Sequence, residues 1–156
     1  MLTNDGDDIN VVLNGKIVSA KHGERIVEII RRNGIFMPSA CYHRSLSETG
    51  HCGLCLTGAR RRSSDDFTVV FGCTTTATDG MEINTDYRPA ADKRQETLFM
   101  YLMTHPLDCA KCDKVGGCFL HKFATEMQFR GFTRMWNGKL EGVEYKTFGK
   151  NVLFDS

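Results

Sequence analysis

The first part of the chain alternates apolar and polar residues in a way that predicts a β-hairpin. Apolar side chains at Ile9, Val11 and Leu13 recur with the two-residue period of a half-buried strand. Asn-Gly follows at 14–15 before apolar residues resume, and this pair favours a tight hairpin because both turn positions require a positive φ. We therefore expect a β-hairpin over residues 9–20.

A helical period follows the hairpin. Ile26, Ile29 and Ile30 fall on one face of a short amphipathic helix, and Gly34 is placed to end it in a left-handed conformation. Residues 38–58 are rich in Ser, Gly and Cys and have no period, which predicts a loop. Strand character then returns over residues 67–71 and 81–85. Hairpin, helix, loop and further strands are the order of a β-grasp fold.

The second half of the chain predicts helices and then an irregular tail. Pro89 suits the first turn of a helix that runs to about Thr104, with Leu98, Tyr101 and Leu102 on its inner face. A second helix is expected over residues 119–130, and the aromatic-rich remainder is either a small folded cap or an arm that docks on a partner. The predicted class is α+β, with three units: a β-grasp domain at 1–87, a small helical domain at 88–130 and a docking tail at 131–156.

Composition and charge argue against several classes of function. With 20 basic and 19 acidic residues in 156, the net charge of +1 creates no general field for nucleic acid or an anionic membrane. The N-terminus is acidic and lacks the apolar core of a signal peptide, and no apolar run is long enough to span a bilayer. We expect a cytoplasmic protein, where seven cysteines indicate metal ligation rather than disulfides.

Four of the cysteines form the first candidate site. Ten residues separate Cys41 from Cys52, two separate Cys52 from Cys55, and seventeen separate Cys55 from Cys73, which follows a predicted strand. Four thiolates from one loop and one returning strand suit a [2Fe–2S] cluster. Glycines at 50, 53 and 58 would let backbone N–H groups approach its sulfur atoms.

A histidine and the other three cysteines form the second candidate site. His105 is followed by Cys109, Cys112 and Cys118, with three, two and five residues between successive members. Spacing alone leaves open a structural Cys₃His zinc site, because tetrahedral zinc accepts both ligand types.

Both constellations resemble those of one protein family. Residues 34–43 and the ten-residue gap after Cys41 resemble the N-terminal [2Fe–2S] domain of the large iron–sulfur subunit of respiratory complex I. His-Pro-Leu-Asp-Cys at 105–109, with Gly116-Gly117 before Cys118, is similar to the same family's [4Fe–4S] motif. The module also occurs in NAD-linked hydrogenases, [FeFe]-hydrogenases and NAD-dependent formate dehydrogenases. The resemblance covers roughly residues 9–125.

The resemblance implies cofactors and ligands. It assigns a [2Fe–2S] cluster to Cys41, Cys52, Cys55 and Cys73, and a [4Fe–4S] cluster to His105, Cys109, Cys112 and Cys118. This chain departs from the family at Gly53, where a bulky or basic residue usually stands, so the surroundings of the first cluster are expected to differ. The family also continues into further cluster domains, which we expect to lie on another polypeptide unless the protein is a short relay.

The implied function is electron transfer without a substrate site. We expect a subunit that relays single electrons between a flavin- and NAD-binding subunit and a separate catalytic oxidoreductase subunit in a hetero-oligomer. The alternatives are a free-standing ferredoxin-like shuttle and a zinc-stabilised interaction module. Residues 60–62, all arginine, predict a solvated loop or a docking patch for an acidic partner. No phosphate loop, dinucleotide-binding turn or activated nucleophile is present in the sequence.

Overall fold

The fold is described here from a computed structural model. It covers residues 8–46, 49–61, 66–105, 109, 111–114 and 116–127, and the backbone of 145–148 and 152–155. The helices and strands, in chain order, are β1 (Asp8–Leu13), β2 (Lys16–Lys21), α1 (Ile26–Arg32), β3 (Leu56–Arg60), β4 (Thr68–Phe71), β5 (Glu82–Asn84), α2 (Arg88–Met103), α3 (Phe119–Glu126), β6 (Tyr145–Phe148) and β7 (Val152–Asp155).

Five strands form one mixed sheet in the order β2-β1-β5-β3-β4. β1 pairs antiparallel with β2 and parallel with β5, while β3 pairs antiparallel with both β5 and β4. The predicted hairpin is confirmed, with Asn14 at φ 49° and Gly15 at φ 81° in its turn. A mixed sheet with a few helices confirms the predicted α+β class.

Helix α1 covers the sheet and forms the main core with it. Ile26, Ile29 and Ile30 are fully buried, as their shared face predicted, and they pack in a cluster with residues of β1 and β5. Gly34 ends the turn after the helix with φ 75°, a conformation that costs glycine little. Cys55 and Cys73 belong to this same buried cluster.

Strand β3 was not predicted, because its residues lie mostly in the segment expected to be a loop. Leu56–Arg60 reads Leu-Thr-Gly-Ala-Arg, in which glycine and alanine have low strand propensity. The strand nevertheless lies between β5 and β4, where it is paired on both sides. Gly58 is therefore a strand residue and not part of the loop that carries the cysteines. A glycine inside a strand often marks a close approach by another part of the chain.

Helix α2 packs a second apolar cluster against the cysteine loop. The helix runs from Arg88 to Met103, with proline in its first turn as predicted. Its buried residues contact α3 and the loop in one cluster that comprises Cys52, Leu54, Leu98, Leu102, Leu120, Phe123 and Ala124. Helix α3 ends at Glu126 within the expected range, and residues 128–130 lie outside the described part of the chain. None of the described helices is long and apolar enough to cross a membrane.

The expected tail is only partly described. Residues 131–144 lie outside the described residues, whereas β6 and β7 pair antiparallel with Tyr145 opposite Asp155 and Phe148 opposite Val152. The expectation of an irregular tail is wrong for these two strands. Aromatic and β-branched residues on both sides of Gly149 favour such a hairpin, because they pack well across neighbouring strands.

Candidate metal centre

Cys41 and Cys52 form a pair at the outer side of the cysteine loop. The backbone N–H of Cys52 donates a hydrogen bond to Cys41 Sγ at 3.4 Å, and the N–H of Ala40 donates to Cys52 Sγ at 3.4 Å. Gly50 at φ 62° and Gly53 at φ 70°, on either side of Cys52, adopt the left-handed conformation that favours glycine. The expected role of both glycines in curling the loop fits this geometry.

Cys55 and Cys73 form a second pair that is fully buried. Their thiols are hydrogen-bonded to each other, and each side chain has no exposed surface. Gly72 supports this pair: its N–H donates to the Cys55 carbonyl at 3.0 Å, and a β-carbon at Gly72 would lie 3.0 Å from the same oxygen. Sequence reasoning missed Gly72, although a glycine directly before a candidate ligand is the signal that could have found it.

The thiols have unequal acidity. Burial would raise the pKa of Cys41, but hydrogen bonds from Thr49 and from the backbone of Cys52 and His51 lower that pKa to about 7. Burial, and then contact with Cys55, raises the pKa of Cys73 to about 12. Burial also raises the pKa of Cys55. Cys41 therefore reaches the thiolate form more readily than Cys55 or Cys73.

The structure brings the four predicted residues of the first site together as two pairs. Negative charge at Cys41 and Cys52 contributes to the raised pKa of Cys55 and of Cys73, so the two pairs lie within electrostatic reach of each other. Across the described residues, no three Cys, His, Asp or Glu side chains converge as a single metal ion requires. Two thiol pairs, with backbone N–H donors at the outer pair, could instead hold a centre with two iron atoms.

The second predicted site lies between α2 and α3. His105 is half-buried just beyond the end of α2, and its N–H donates to the Leu102 carbonyl at 3.3 Å. Cys118 caps the start of α3 and packs against the second apolar cluster. The side chains of Cys109 and Cys112 are partly exposed. Residues 106–108 lie outside the described residues, so three of the five residues of the His-Pro-Leu-Asp-Cys motif are not described.

His51 and Arg60 both lie in the described part of the chain, and Arg60 departs from the expected solvated loop. His51 is exposed, and it is its backbone, not its imidazole, that hydrogen-bonds Cys41. Arg60 is not a simply solvated residue, because its guanidinium binds Glu82 at 2.7 Å and lies 4.6 Å from the centre of the Phe67 ring. Arg62 lies outside the described residues.

Two residues of α2 that contact the cysteine loop and the adjoining strand were not predicted to do so. The Tyr101 hydroxyl donates to the Cys52 carbonyl at 3.4 Å, whereas the sequence predicted only an apolar role for this ring. Arg94 donates to the carbonyl of Leu56, the residue after Cys55. No local sequence pattern signals either contact, because both join positions far apart in the chain.

Comparison with known proteins gives matches over both sites. Residues 6–88 match the model of the 2Fe-2S iron-sulfur cluster binding domain, and residues 94–131 match that of the NADH-ubiquinone oxidoreductase-G iron-sulfur binding region. The first match contains all four residues of the first site, and the second contains all four of the second site.

The similar full-length proteins are much longer than this chain. It is 34% identical over 119 residues to the NADH dehydrogenase [ubiquinone] iron-sulfur protein 1 of Solanum tuberosum, covering 76% of this chain and 16% of that protein. It is 31% identical over 144 residues to the NADH-ubiquinone oxidoreductase 75 kDa subunit of Reclinomonas americana, covering 92% of this chain and 20% of that protein. The chain thus spans a fifth or less of the length of these relatives.

A solved structure shares the fold. A chain in the crystal structure of a NAD⁺-reducing [NiFe]-hydrogenase in the H₂-reduced state superposes with a TM-score of 0.64 at 20% identity. The match covers 78% of this chain and 49% of that one.

Proposed function

The chain belongs to the family of 2Fe-2S iron-sulfur cluster binding domains, in the form found in the large iron–sulfur subunit of NADH-ubiquinone oxidoreductases, and from this we propose that it relays single electrons. In this proposal Cys41, Cys52, Cys55 and Cys73 hold a [2Fe–2S] cluster, and His105, Cys109, Cys112 and Cys118 hold a [4Fe–4S] cluster. The bound clusters would supply one-electron transfer, which none of the side chains present could perform alone.

The observation that carries the proposal is one apolar cluster shared by the two sites. Cys52 is a member of the cluster formed by α2, α3 and Leu54, and Cys41 and Cys118 pack against it. Cysteines of both sites therefore contact the same apolar group of side chains. Close packing of this kind would hold the two sites near a constant separation. A chain whose two sites served unrelated purposes would have no need for this shared contact.

The proposal extends to the organisation of the chain and to its partners. Residues 1–87 form a β-grasp [2Fe–2S] domain, 88–130 a small helical [4Fe–4S] domain and 131–156 a docking tail. The partners are a flavin- and NAD-binding subunit and a catalytic oxidoreductase subunit in a cytoplasmic hetero-oligomer. Support comes from the relatives, whose names describe subunits of NADH oxidoreductases, and from the fold shared with a NAD⁺-reducing hydrogenase.

Metal and sulfide analysis of anaerobically purified protein tests the proposal. We expect about six iron and six acid-labile sulfide per chain, the sum of one two-iron and one four-iron cluster, with little zinc. Low-temperature electron paramagnetic resonance of the reduced protein should show two distinct signals. About two iron with stoichiometric zinc would reject the second cluster and favour a mixed structural and redox protein. Zinc without iron would favour an interaction module.

A further inference from the structure

Arg94 reaches from α2 to the strand that begins beside Cys55. One guanidinium nitrogen donates to the Leu56 carbonyl, and the other terminal nitrogen donates to the Thr85 carbonyl at 2.9 Å. Leu56 directly follows Cys55 and begins β3, while Thr85 directly follows β5. The Arg94 side chain therefore joins β3 and β5, two neighbouring strands, next to the buried Cys55.

Among the described residues, no carboxylate forms an ion pair with this guanidinium. Within the described residues both hydrogen-bond acceptors of Arg94 are neutral carbonyls, and the ion pairs of arginine involve other residues. Arg88, earlier on α2, differs because it is exposed and binds Asp92 at 2.7 Å. Burial lowers the pKa of Arg94, and negative charge at Asp86 and Cys55 raises it. A guanidinium stays protonated under such conditions, so a fixed positive charge lies within electrostatic reach of Cys55.

We propose that the fixed positive charge of Arg94 favours the reduced state of the [2Fe–2S] site. The inference rests on the proposed function. Reduction adds one electron from an external donor, makes or breaks no bond and leaves one more negative charge on the ligated irons and sulfurs. A cation held in a partly buried place stabilises that added charge more than an exposed cation does, because solvent screens it less.

Redox titration of charge-changing variants tests this role, with the electron paramagnetic resonance signal of the [2Fe–2S] site as the readout. Arg94→Gln removes the charge but keeps a hydrogen-bond donor, and we expect the reduction equilibrium constant to fall about three- to tenfold. Arg94→Lys keeps the charge while losing the two-pronged bond to Leu56 and Thr85, so its potential should stay near that of the wild type. Arg88→Gln is the matched control from the same helix and should leave the potential unchanged.

The outcomes separate a charge effect from a structural one. Equal shifts in Arg94→Gln and Arg94→Lys would overturn the proposal, because geometry alone would then explain them. An unchanged potential in Arg94→Gln would overturn it as well. Absence of any two-iron signal in the wild-type protein would instead contradict the proposed function itself, and iron analysis of the same sample identifies that case.

A second pair of variants keeps the test decisive if Arg94→Gln does not fold. Asp86 is exposed, and its negative charge opposes that of Arg94. Asp86→Asn should therefore raise the potential of the [2Fe–2S] site, while Asp92→Asn, which removes a carboxylate already paired with exposed Arg88, should raise it less. If both substitutions raised the potential of the [2Fe–2S] site equally, charge close to Arg94 would affect the site no more than charge elsewhere on the surface, contrary to the proposal.

Discussion

Gly58 lies directly against the side chain of Tyr87, so that a β-carbon at position 58 would be 2.6 Å from the Tyr87 β-carbon. Gly58 is the middle residue of β3, and Tyr87 immediately precedes α2. The Tyr87 hydroxyl donates to the Phe67 carbonyl at 3.1 Å, which fixes the ring across the sheet. This contact sets where α2 starts, and α2 carries Arg94 and the apolar face that both sites share.

Substituting Gly58 by alanine should weaken the fold. The added methyl group overlaps the Tyr87 side chain, and relief requires that the ring or the strand move, at a cost of about 1–3 kcal/mol in the free energy of unfolding. Chemical denaturation of the cluster-free protein measures this. Gly117→Ala is the matched control, since its nearest neighbour would be the Lys114 carbonyl at 3.9 Å.

Combining the substitution with a smaller residue at position 87 tests the cause. Tyr87→Gly removes all the Tyr87 side-chain atoms that a methyl group at Gly58 would meet, the β-carbon included, so adding Gly58→Ala to Tyr87→Gly should cost much less than it does alone. If the two substitutions lowered the free energy of unfolding additively, steric overlap would not be the cause, and β3 itself would require glycine.

The pKa of about 7 for Cys41 predicts a pH-dependent reactivity in cluster-free protein. The thiolate is the reactive form, so alkylation of Cys41 should rise with pH and reach half its limiting rate near pH 7. Cys73, with a pKa of about 12, should stay unreactive in the folded protein through this range. Mass spectrometry of peptides after brief alkylation at a series of pH values separates the two cysteines. If the alkylation rates of Cys41 and Cys73 rose with pH in parallel, the predicted difference in pKa between these two thiols would be wrong.

The same pKa shift predicts a change in stability with pH. The folded pKa of Cys41 lies below its ordinary value of 9.0, so ionisation of this thiol stabilises the fold at pH 9 and above. That stabilisation falls as the pH drops from 9 towards 7 and is lost below it. Cys41→Ser in cluster-free protein should therefore remove part of the pH dependence of unfolding between pH 7 and 9. If Cys41→Ser left the pH dependence of unfolding unchanged, Cys41 would have the same pKa in the folded and unfolded states.

Local patterns predicted the parts of the fold that depend on neighbouring residues. The Asn14-Gly15 turn, the buried face of α1 and the proline at the start of α2 are each encoded within a few residues. The local pattern did not predict β3, because its strand character comes from pairing with β4 and β5, not from its own residues. Its Gly58 looked like a loop signal, whereas the need for glycine there comes from Tyr87, distant in sequence.

In the candidate sites too, features set by neighbouring residues were predicted, whereas features set by contacts distant in sequence were not. Cysteine spacing and flanking motifs predicted both sets of candidate ligands, because ligand type and separation are written directly in the sequence. The roles of Arg94 and Tyr101 were not predictable in this way. Each depends on a contact between a helix or strand and the cysteine loop, and such contacts appear only once the sheet and α2 are assembled.

Cys55→Ser should remove the two-iron signal and leave the second site intact. Cys55 is fully buried beside Cys73, and serine of similar size fills the same space without supplying a thiolate. The predicted second site uses other residues, which follow α2. Electron paramagnetic resonance and iron analysis should therefore show the loss of about two iron, with the four-iron signal retained. Loss of both signals would indicate that the two sites fold as one unit, contrary to the proposed boundary at residue 87.

His105 offers the sharpest test of the second site, because the charge of its ligand can be changed by one substitution. A neutral imidazole replaced by an anionic thiolate in His105→Cys adds one negative charge to the [4Fe–4S] site, which disfavours reduction. Its potential should fall, while that of the [2Fe–2S] site should move little. His105→Ala should leave one iron without a protein ligand and make the cluster lose iron readily. His22→Ala, at an exposed turn after β2, is the control and should change neither potential. If the potential and the four-iron signal are unchanged in both His105 variants, then His105 is not a ligand and another group, such as His121 or a partner's side chain, completes the site.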